Sequence, residues 1–399
     1  MNRANAHVAV VGAGIVGVCI AYQLRKRGVD VLLIDRDEPG RGCSYGNSGA
    51  ISSASVVPLA TPGIIRSVPG MLGKPDSPLF LPWRYLPQAL PWLLQFVQAS
   101  RKDRVLASAK HLAELHHEAV ARHIALASEV GRPDLIIQRG HLHLYPDKAA
   151  LQRDAFGWQL RRDHGVQYQI LDRDGILQLE PNVSPRYQTG VFMADQATVA
   201  NPFQYVQAIA RKYQDHGGRL RTGVVQAITP AEGGPWHLDV GGDVISVSQV
   251  VVAAGVWSRK LLEPLGVKLA LESQRGYHVQ FQGGPSPVSR TVVLTDKRVF
   301  LTPMTDGLRV GGTVEIAGVN AAPDPRRADA LARIALESFS ELADQPYTTW
   351  SGHRPCMPDS VPVIGPADNH RGLFIATGHG HLGLTDSIGT AQRIVGMMG

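Results

Sequence analysis

Arg354 stands between Gly352 and the prolines Pro355 and Pro358, a setting that reads as a stiff turn carrying a guanidinium. An arginine held that way can grip a carboxylate through two parallel hydrogen bonds. A structural ion pair with Asp359 suits it equally. Further on, an apolar run at 373–377 enters Gly378, His379, Gly380, His381, Leu382, Gly383, Leu384 and Thr385. A buried strand, a Gly/His loop and a helix start offer unpaired backbone N–H groups to negative charge that develops on a bound ring. At the other end of the chain, Gly12, Gly14 and Gly17, with Ile15 and Val16 among them, follow the apolar run 7–11, and Asp35 closes a second apolar run. This is a phosphate cradle. Gly12 permits the tight turn, Gly14 lets a pyrophosphate approach the backbone, and Gly17 lets helix and strand pack. Asp35 is placed to accept from ribose hydroxyls and would repel a 2′-phosphate.

These groups need a frame. Strand, glycine turn, helix and strand over 7–35 form a nucleotide-binding unit, and Val250, Val251, Val252, Ala253, Ala254 and Gly255 read as another buried strand of the same sheet. The polar, glycine-rich segment 39–51 is expected to be a loop near the ligand. Residues 58–91, rich in Pro and aromatics (Phe80, Trp83 and Tyr85, with Trp92 just beyond), read as an irregular cover, as a surface that meets a membrane or partner, or as a packed connection. Residues 100–130 are expected to be helical. His141 and His143 share a strand face; without a third ligand they read as two partly exposed histidines, with no metal site. Asn201-Pro202 marks a helix start, the helix running to about His216 before Gly217-Gly218. Residues 220–228, 236–240 and 244–247 read as a meander. One nucleotide domain is thus assembled from separated segments, the intervening pieces forming a second domain.

With 399 residues, 44% hydrophobic and 19% charged, the chain has the composition of a globular enzyme. The balance of 40 Lys+Arg against 34 Asp+Glu comes in short scattered groups, so nucleic acid is excluded as a partner, while anionic substrates or an anionic lipid surface fit. Cys19, Cys43 and Cys356 are odd in number and lack metal-ligand spacing, which points to a reducing, cytoplasmic location.

The motifs resemble those of the D-amino-acid oxidase superfamily of flavoproteins, most closely the bacterial FAD-dependent D-amino-acid dehydrogenases. The resemblance rests on residues 12–17 with 34–36, 44–52, 251–258, 275–277, 309–316, 350–365 and 377–385, which follow family order along nearly the whole chain. It implies an α/β fold: a Rossmann-type FAD-binding domain from 1–70, 196–262 and 350–399, and an α+β substrate or cap domain with an antiparallel sheet from 71–195 and 263–349. It also implies non-covalent FAD in an extended pose. The pyrophosphate would meet residues 12–17, the ribose Asp35 beside Arg36, and the adenine Val224 and Val225. The isoalloxazine would meet Ser44, Asn47, Ser48, Gly49 and the loop 378–385, with Ala254, Gly255 and Trp257 along the cleft. Arg354 would hold the substrate carboxylate, Tyr277 would line the pocket unless it packs in the core, and His381 would reach the substrate.

Three departures qualify the resemblance. Phe300 occupies the position of a carboxylate-binding tyrosine and cannot donate that hydrogen bond. His381 replaces a threonine usual in the dehydrogenases. Cys356 is reminiscent of the cysteine that holds flavin covalently in sarcosine oxidases. The expected reaction is hydride transfer from the α-carbon of an amino or imino acid to flavin N5, with a quinone or electron-transfer protein as acceptor and peripheral contact with the inner face of the plasma membrane through the segment 58–92. Three alternatives stay open: oxidation of glycine, sarcosine or a cyclic imino acid such as D-proline or its hydroxylated forms, a nicotinamide-dependent dehydrogenase, and a flavin-holding subunit without its own turnover.

Overall fold

The computed structural model describes residues 7–64, 79–231 and 234–398, so the middle of the Pro/aromatic segment, 65–78, lies outside it. Two sheets organise the chain. The first has six strands in the order Arg219–Thr222, Val31–Asp35, Val8–Val11, Gln249–Val252, Leu373–Thr377 and Val363–Pro366. The first five run parallel and the last pairs antiparallel. Val8–Val11 is buried on both faces, which is why it is an unbroken valine/alanine run instead of an alternating one. Helices Ile15–Lys26, Pro202–Asp215 and Gly383–Met398 cover one face, and the meander Val225–Pro230, Trp236–Val240 and Asp243–Val247 covers the other.

The second sheet has nine strands. Along its main path lie Tyr347–Cys356, Glu272–Phe281, Gly307–Glu315, Val299–Met304, Thr291–Leu294, His141–Tyr145, Thr189–Met193 and Gln169–Leu171, and Leu79–Phe80 pairs with Gly307–Glu315 off that path. Most of its pairings are antiparallel. Helix Pro325–Ser338 packs Ala328, Leu331, Ala332 and Ala335 against its back face, where Tyr277, Val279, Phe281, Leu301 and Val310 meet them. The front face looks toward the loop that follows Asp35.

Several elements differ from the sequence reading. Gly223 splits the expected strand 220–228: its first half joins the edge of the six-stranded sheet and its second half opens the meander. The helical stretch 100–130 is two helices, Lys102–His116 and Ala119–Glu129, hinged where Glu118 takes a left-handed φ of 55°. Both grip the first turn of Gly383–Met398, His116 through Asp386 at 2.8 Å and His123 through the Leu384 carbonyl at 2.9 Å. The irregular cover ends early, because Leu86–Ala99 is helical; Pro91 lies inside that helix. His141 is buried and its Nε2 meets the Ala197 carbonyl at 2.8 Å, so it is not the partly exposed histidine expected. Among the described residues, no three His, Cys, Asp or Glu side chains come together as a metal site, and no helix is long and apolar enough to cross a membrane. The helix Pro202–Asp215 starts as anticipated, with the Asn201 side chain accepting from Gln204 N at 3.0 Å.

Candidate active site

The glycine turn shapes one end of a cavity of about 620 Å³. Gly12 has a φ of 107°, and a Cβ there would collide with the Ala253 carbonyl oxygen. A Cβ on Gly17 would collide with the Gly12 carbonyl, so this glycine serves the close packing of helix on strand, and it does not line the cavity. Gly14, Ile15 and Val16 do line it, at the positive end of a helix whose first N–H groups lack helical partners. Unpaired backbone N–H groups at a positive helix end are the kind of donor that holds a phosphate group. Asp35, Arg36, Val224, Val225, Ala254, Gly255 and Trp257 line the same cavity. Asp35 accepts from Ala13 N and, at 3.1 Å, from Asp37 N, which fixes its carboxylate at the strand end. The Arg36 guanidinium lies 3.9 Å above the Trp257 ring, and Trp257 meets His353 edge-on at 5.9 Å.

The Gly/His loop closes the other end. His379, Gly380, Gly383 and Leu384 line the cavity, with the N-terminal turn of Gly383–Met398 behind them. His379 Nε2 meets Thr390 Oγ1 at 3.0 Å, and Gly380 N donates to the Pro355 carbonyl at 2.8 Å. His381 is exposed and does not line the cavity, and the neighbouring charge of Arg354 disfavours its protonation. It is therefore neutral at physiological pH.

Arg354 is on an edge strand, Tyr347–Cys356, and not on a turn; residue 350 onward belongs to the large sheet up to Cys356. Strand alternation sends His353 and Pro355 into the cavity and Arg354 to the opposite face. There Arg354 is paired with Gln274, and its guanidinium lies over Gly276, where a Cβ would collide with it. Arg354 Nη1 donates to the Thr313 carbonyl at 3.0 Å. Among the described residues no carboxylate pairs with it, and Asp359 instead accepts from Val361 N at 3.1 Å. The ion-pair role is thus not realised. Burial lowers the pKa of Arg354, which stays cationic, as arginine does in proteins. On the same face His278 stacks on Trp350 at 5.2 Å, and the register runs from Trp350 through His278 and Gly311 to Phe300.

Other expectations are corrected. Tyr277 does not line the cavity: it is buried in the back-face core, its hydroxyl donating to Glu315 and accepting from Asp324 N at 2.9 Å. Alternation along Glu272–Phe281 turns it away from Gly276 and His278. Ser44 lines the cavity beside the glycine turn, where its Oγ accepts from Ile15 N at 2.9 Å. Asn47 lines the cavity, whereas Ser48, Gly49, Gly378, Leu382 and Thr385 do not. Gly49 bends the loop with a φ of 77°, and Thr385 ties it to the helix by accepting from Ser52 N at 3.1 Å. Sequence reasoning missed Cys43, His353, Pro355 and Lys260 as lining residues. Only the strand alternation about Arg354 could have found His353 and Pro355. Cys43 donates to the His353 carbonyl at 2.8 Å, and burial pushes its thiol up to about 11. Cys356 is buried among Ala89, Trp92 and Ile316, and burial pushes its thiol up to about 12.

A glycine-cradled cleft at the ends of a parallel sheet, abutting a second, mostly antiparallel sheet, is the architecture of a nucleotide-dependent enzyme. The chain belongs to the DAO family of FAD-dependent oxidoreductases, whose family profile matches residues 7–397. It is 38% identical over 399 residues to a D-amino-acid oxidase of Bradyrhizobium diazoefficiens, covering 98% of this chain and 94% of that one. It is 31% identical over 401 residues to a D-amino acid dehydrogenase of Phenylobacterium zucineum, covering 98% and 93%. The fold matches glycine oxidase from Geobacillus kaustophilus with a TM-score of 0.75 at 20% identity, over 98% and 94% of the two chains. The cofactor is FAD, and the glycine cradle, Asp35 and the helix termini fit it.

Proposed function

We propose that the protein oxidises a D-amino acid to its imine, which water then hydrolyses to the 2-oxo acid. The six-stranded unit would hold FAD and the nine-stranded sheet would present the substrate. The observation that carries this reading is Arg354, cationic, lying over Gly276 and without a carboxylate partner among the described residues. FAD supplies the acceptor for the α-hydrogen and its electron pair. Arg354 would clamp the carboxylate and so fix the direction of the Cα–H bond, converting binding energy into alignment. The substrate amine has to be neutral to release hydride. No side-chain base is required if it loses that proton to solvent on binding. His381, uncharged at neutral pH, leaves the local charge to Arg354. Non-covalent FAD fits the high thiol pKa values of Cys43 and Cys356, since the thiolate is the reacting form. The D-preference is supported by the names of both relatives above.

Anaerobic titration of the yellow protein with D- and L-amino acids tests the reading. Bleaching by D-amino acids, with much weaker bleaching by L-enantiomers, is expected; a flavin that no amino acid reduces would reject it.

For the acceptor, we propose a quinone met at an anionic bilayer surface. Trp83 is 84% exposed, and Leu90, Leu94 and Val97 share one exposed face of the helix Leu86–Ala99. Exposed Arg84 precedes the helix and exposed Arg101, Lys102 and Arg104 follow it, with one acid among them, Asp103, paired to Arg101 at 3.4 Å. An apolar stripe flanked by basic residues suits shallow insertion among anionic headgroups. Co-sedimentation with phosphatidylglycerol vesicles, but not with phosphatidylcholine vesicles, should be lost in Leu94→Glu.

A further inference from the structure

The strand partners Glu272–Phe281 and Gly307–Glu315 lose register beside the substrate arginine. Arg275 faces Glu315, but Tyr277 faces Gly312, so the second strand carries one extra residue there. Thr313 lies in this bulge with a φ of 59°. A β-branched residue with positive φ is a genuine outlier and persists only where its surroundings over-determine it. The Thr313 carbonyl is the acceptor for Arg354 Nη1. The bulge thus turns a backbone oxygen onto one edge of the guanidinium, which rests on Gly276 in the facing strand.

Behind the sheet the bulge is pinned by a polar group that the reaction does not use. Glu315, buried, accepts from Arg275 Nη1 at 3.4 Å and from the Tyr277 hydroxyl. Tyr277 in turn accepts from Asp324 N, and Arg275 also donates to the Ala321 carbonyl. A buried ion pair contributes little net stability compared with apolar packing; fixed geometry is what such a pair can supply. Arg275 and Tyr277 flank Gly276 on one strand, and Glu315 sits two residues beyond Thr313 on the other.

We propose that the Arg275–Glu315–Tyr277 network is the positioning device of the substrate arginine. It holds the bulge in which Thr313 presents its carbonyl to Arg354, and so sets the rotation at which the free edge of the guanidinium meets a carboxylate. Tyr277 and Glu315 are then positioning residues acting from the reverse face of the sheet. This inference rests on the proposed role of Arg354.

The test uses the FAD-loaded enzyme and benzoate, a carboxylate without an amine, whose binding is read from perturbation of the flavin absorbance. It also uses the ratio of kcat/KM for D-alanine over D-alaninamide. In Tyr277→Phe the benzoate dissociation constant should rise about three- to tenfold, the scale of one misplaced hydrogen bond. The acid-over-amide ratio should fall by the same factor, with FAD content unchanged. Glu315→Gln should behave alike, and it serves where Tyr277→Phe fails to fold. Thr313→Gly keeps the carbonyl and relieves the strained φ, so benzoate binding should be retained. If either network variant lowers the melting temperature while benzoate binding and the ratio stay at wild-type values, the role is structural and the proposal is overturned. Arg354→Ala separates the two layers. Should it leave benzoate binding intact, the carboxylate reading itself fails; should it abolish binding that Tyr277→Phe and Glu315→Gln preserve, only the positioning role fails.

Discussion

Around Gly12 the wall of the site is backbone, and around Arg354 it is side chain. The nucleotide end works by omission. Gly12 and Gly14 keep side chains away from a helix start that lines the cavity, and Gly17 is missing a Cβ so that the helix can lie on its strand. The substrate end works by cross-strand placement, because Arg354 borrows Gly276 as a bed and Thr313 as an anchor from two other strands. The contrast teaches that a backbone site is specified by local spacing, whereas a side-chain site is specified by register. A point change should therefore damage the two ends differently: cofactor retention at one, catalysis without loss of cofactor at the other.

Arg354→Ala gives the largest separation between them. Turnover of a D-amino acid should fall by about 10³-fold or more, since both the charge-assisted clamp and the alignment it provides are lost. The flavin should remain bound, because no lining residue of the cleft is altered. Steady-state kinetics and the flavin absorbance per protein read the two effects. An apo variant would break the comparison by making Arg354 part of the cofactor site.

The converse experiment pairs two glycines. Gly12→Ala forces a Cβ into the Ala253 carbonyl at a φ of 107° and should cost about 2–3 kcal/mol of stability together with FAD retention. Gly14 has an ordinary φ of −67°, and its Cβ would sit 3.5 Å from Ser44 Oγ, an unstrained contact. Gly14→Ala should thus leave the melting temperature of the apoprotein within about 1 °C while weakening FAD, since a lost ΔΔG near zero moves Tm little. Equal losses in both variants would mean that the cradle matters to folding and not to the ligand.

Buried histidines allow the two halves to be compared by pH. His123 clamps the helix of the nucleotide unit, and His141 lies in the large sheet; burial lowers both to about 4 from an ordinary 6.5. Each is neutral in the folded chain between those values, whereas the unfolded chain takes up a proton. Stability is therefore complete above about pH 6.5 and declines as pH falls toward 4, by about 2 kcal/mol per histidine at pH 5. His123→Gln and His141→Gln should each flatten the Tm against pH curve between 6.5 and 5. An unchanged slope would mean that the site titrates in place without resistance.

The same division explains what could be read in advance. The glycine turn, Asp35 and the Asn201 cap depend on neighbours within a few residues and were legible. That Arg354 belongs to a strand was not legible, because Pro355 and Pro358 mimic a turn and the edge position that tolerates Pro355 is a property of the sheet. Tyr277 was assigned to the wrong face because a strand buried on both sides has no polar–apolar alternation to betray its inside. The hydrogen bond of Ser44 to the helix start was not legible, because its loop folds back across that start, a contact with no local signature. Domain membership near residue 350 failed for a like reason: one strand, Tyr347–Cys356, carries lining residues of the cleft on one face and Arg354 on the other.

Phe300 gives the smallest effect and the finest probe of that strand geometry. It is opposite Gly311, which is opposite His278, so it shares the face of Arg354 and is two strands from Glu272–Phe281. Strand spacing and rise place its Cα about 12 Å from that of Gly276, where the guanidinium lies. A tyrosine side chain and a carboxylate together span such a gap. Phe300→Tyr should therefore add one donor to the carboxylate already held by Arg354 and lower KM about three- to tenfold, with kcat little changed. The benefit should vanish for the amide of the same substrate and in the Arg354→Ala background, since a hydroxyl alone does not orient the acid. A KM that rises would mean instead that the new hydroxyl is buried without a partner, and that the carboxylate is held nearer the edge strand than the register suggests.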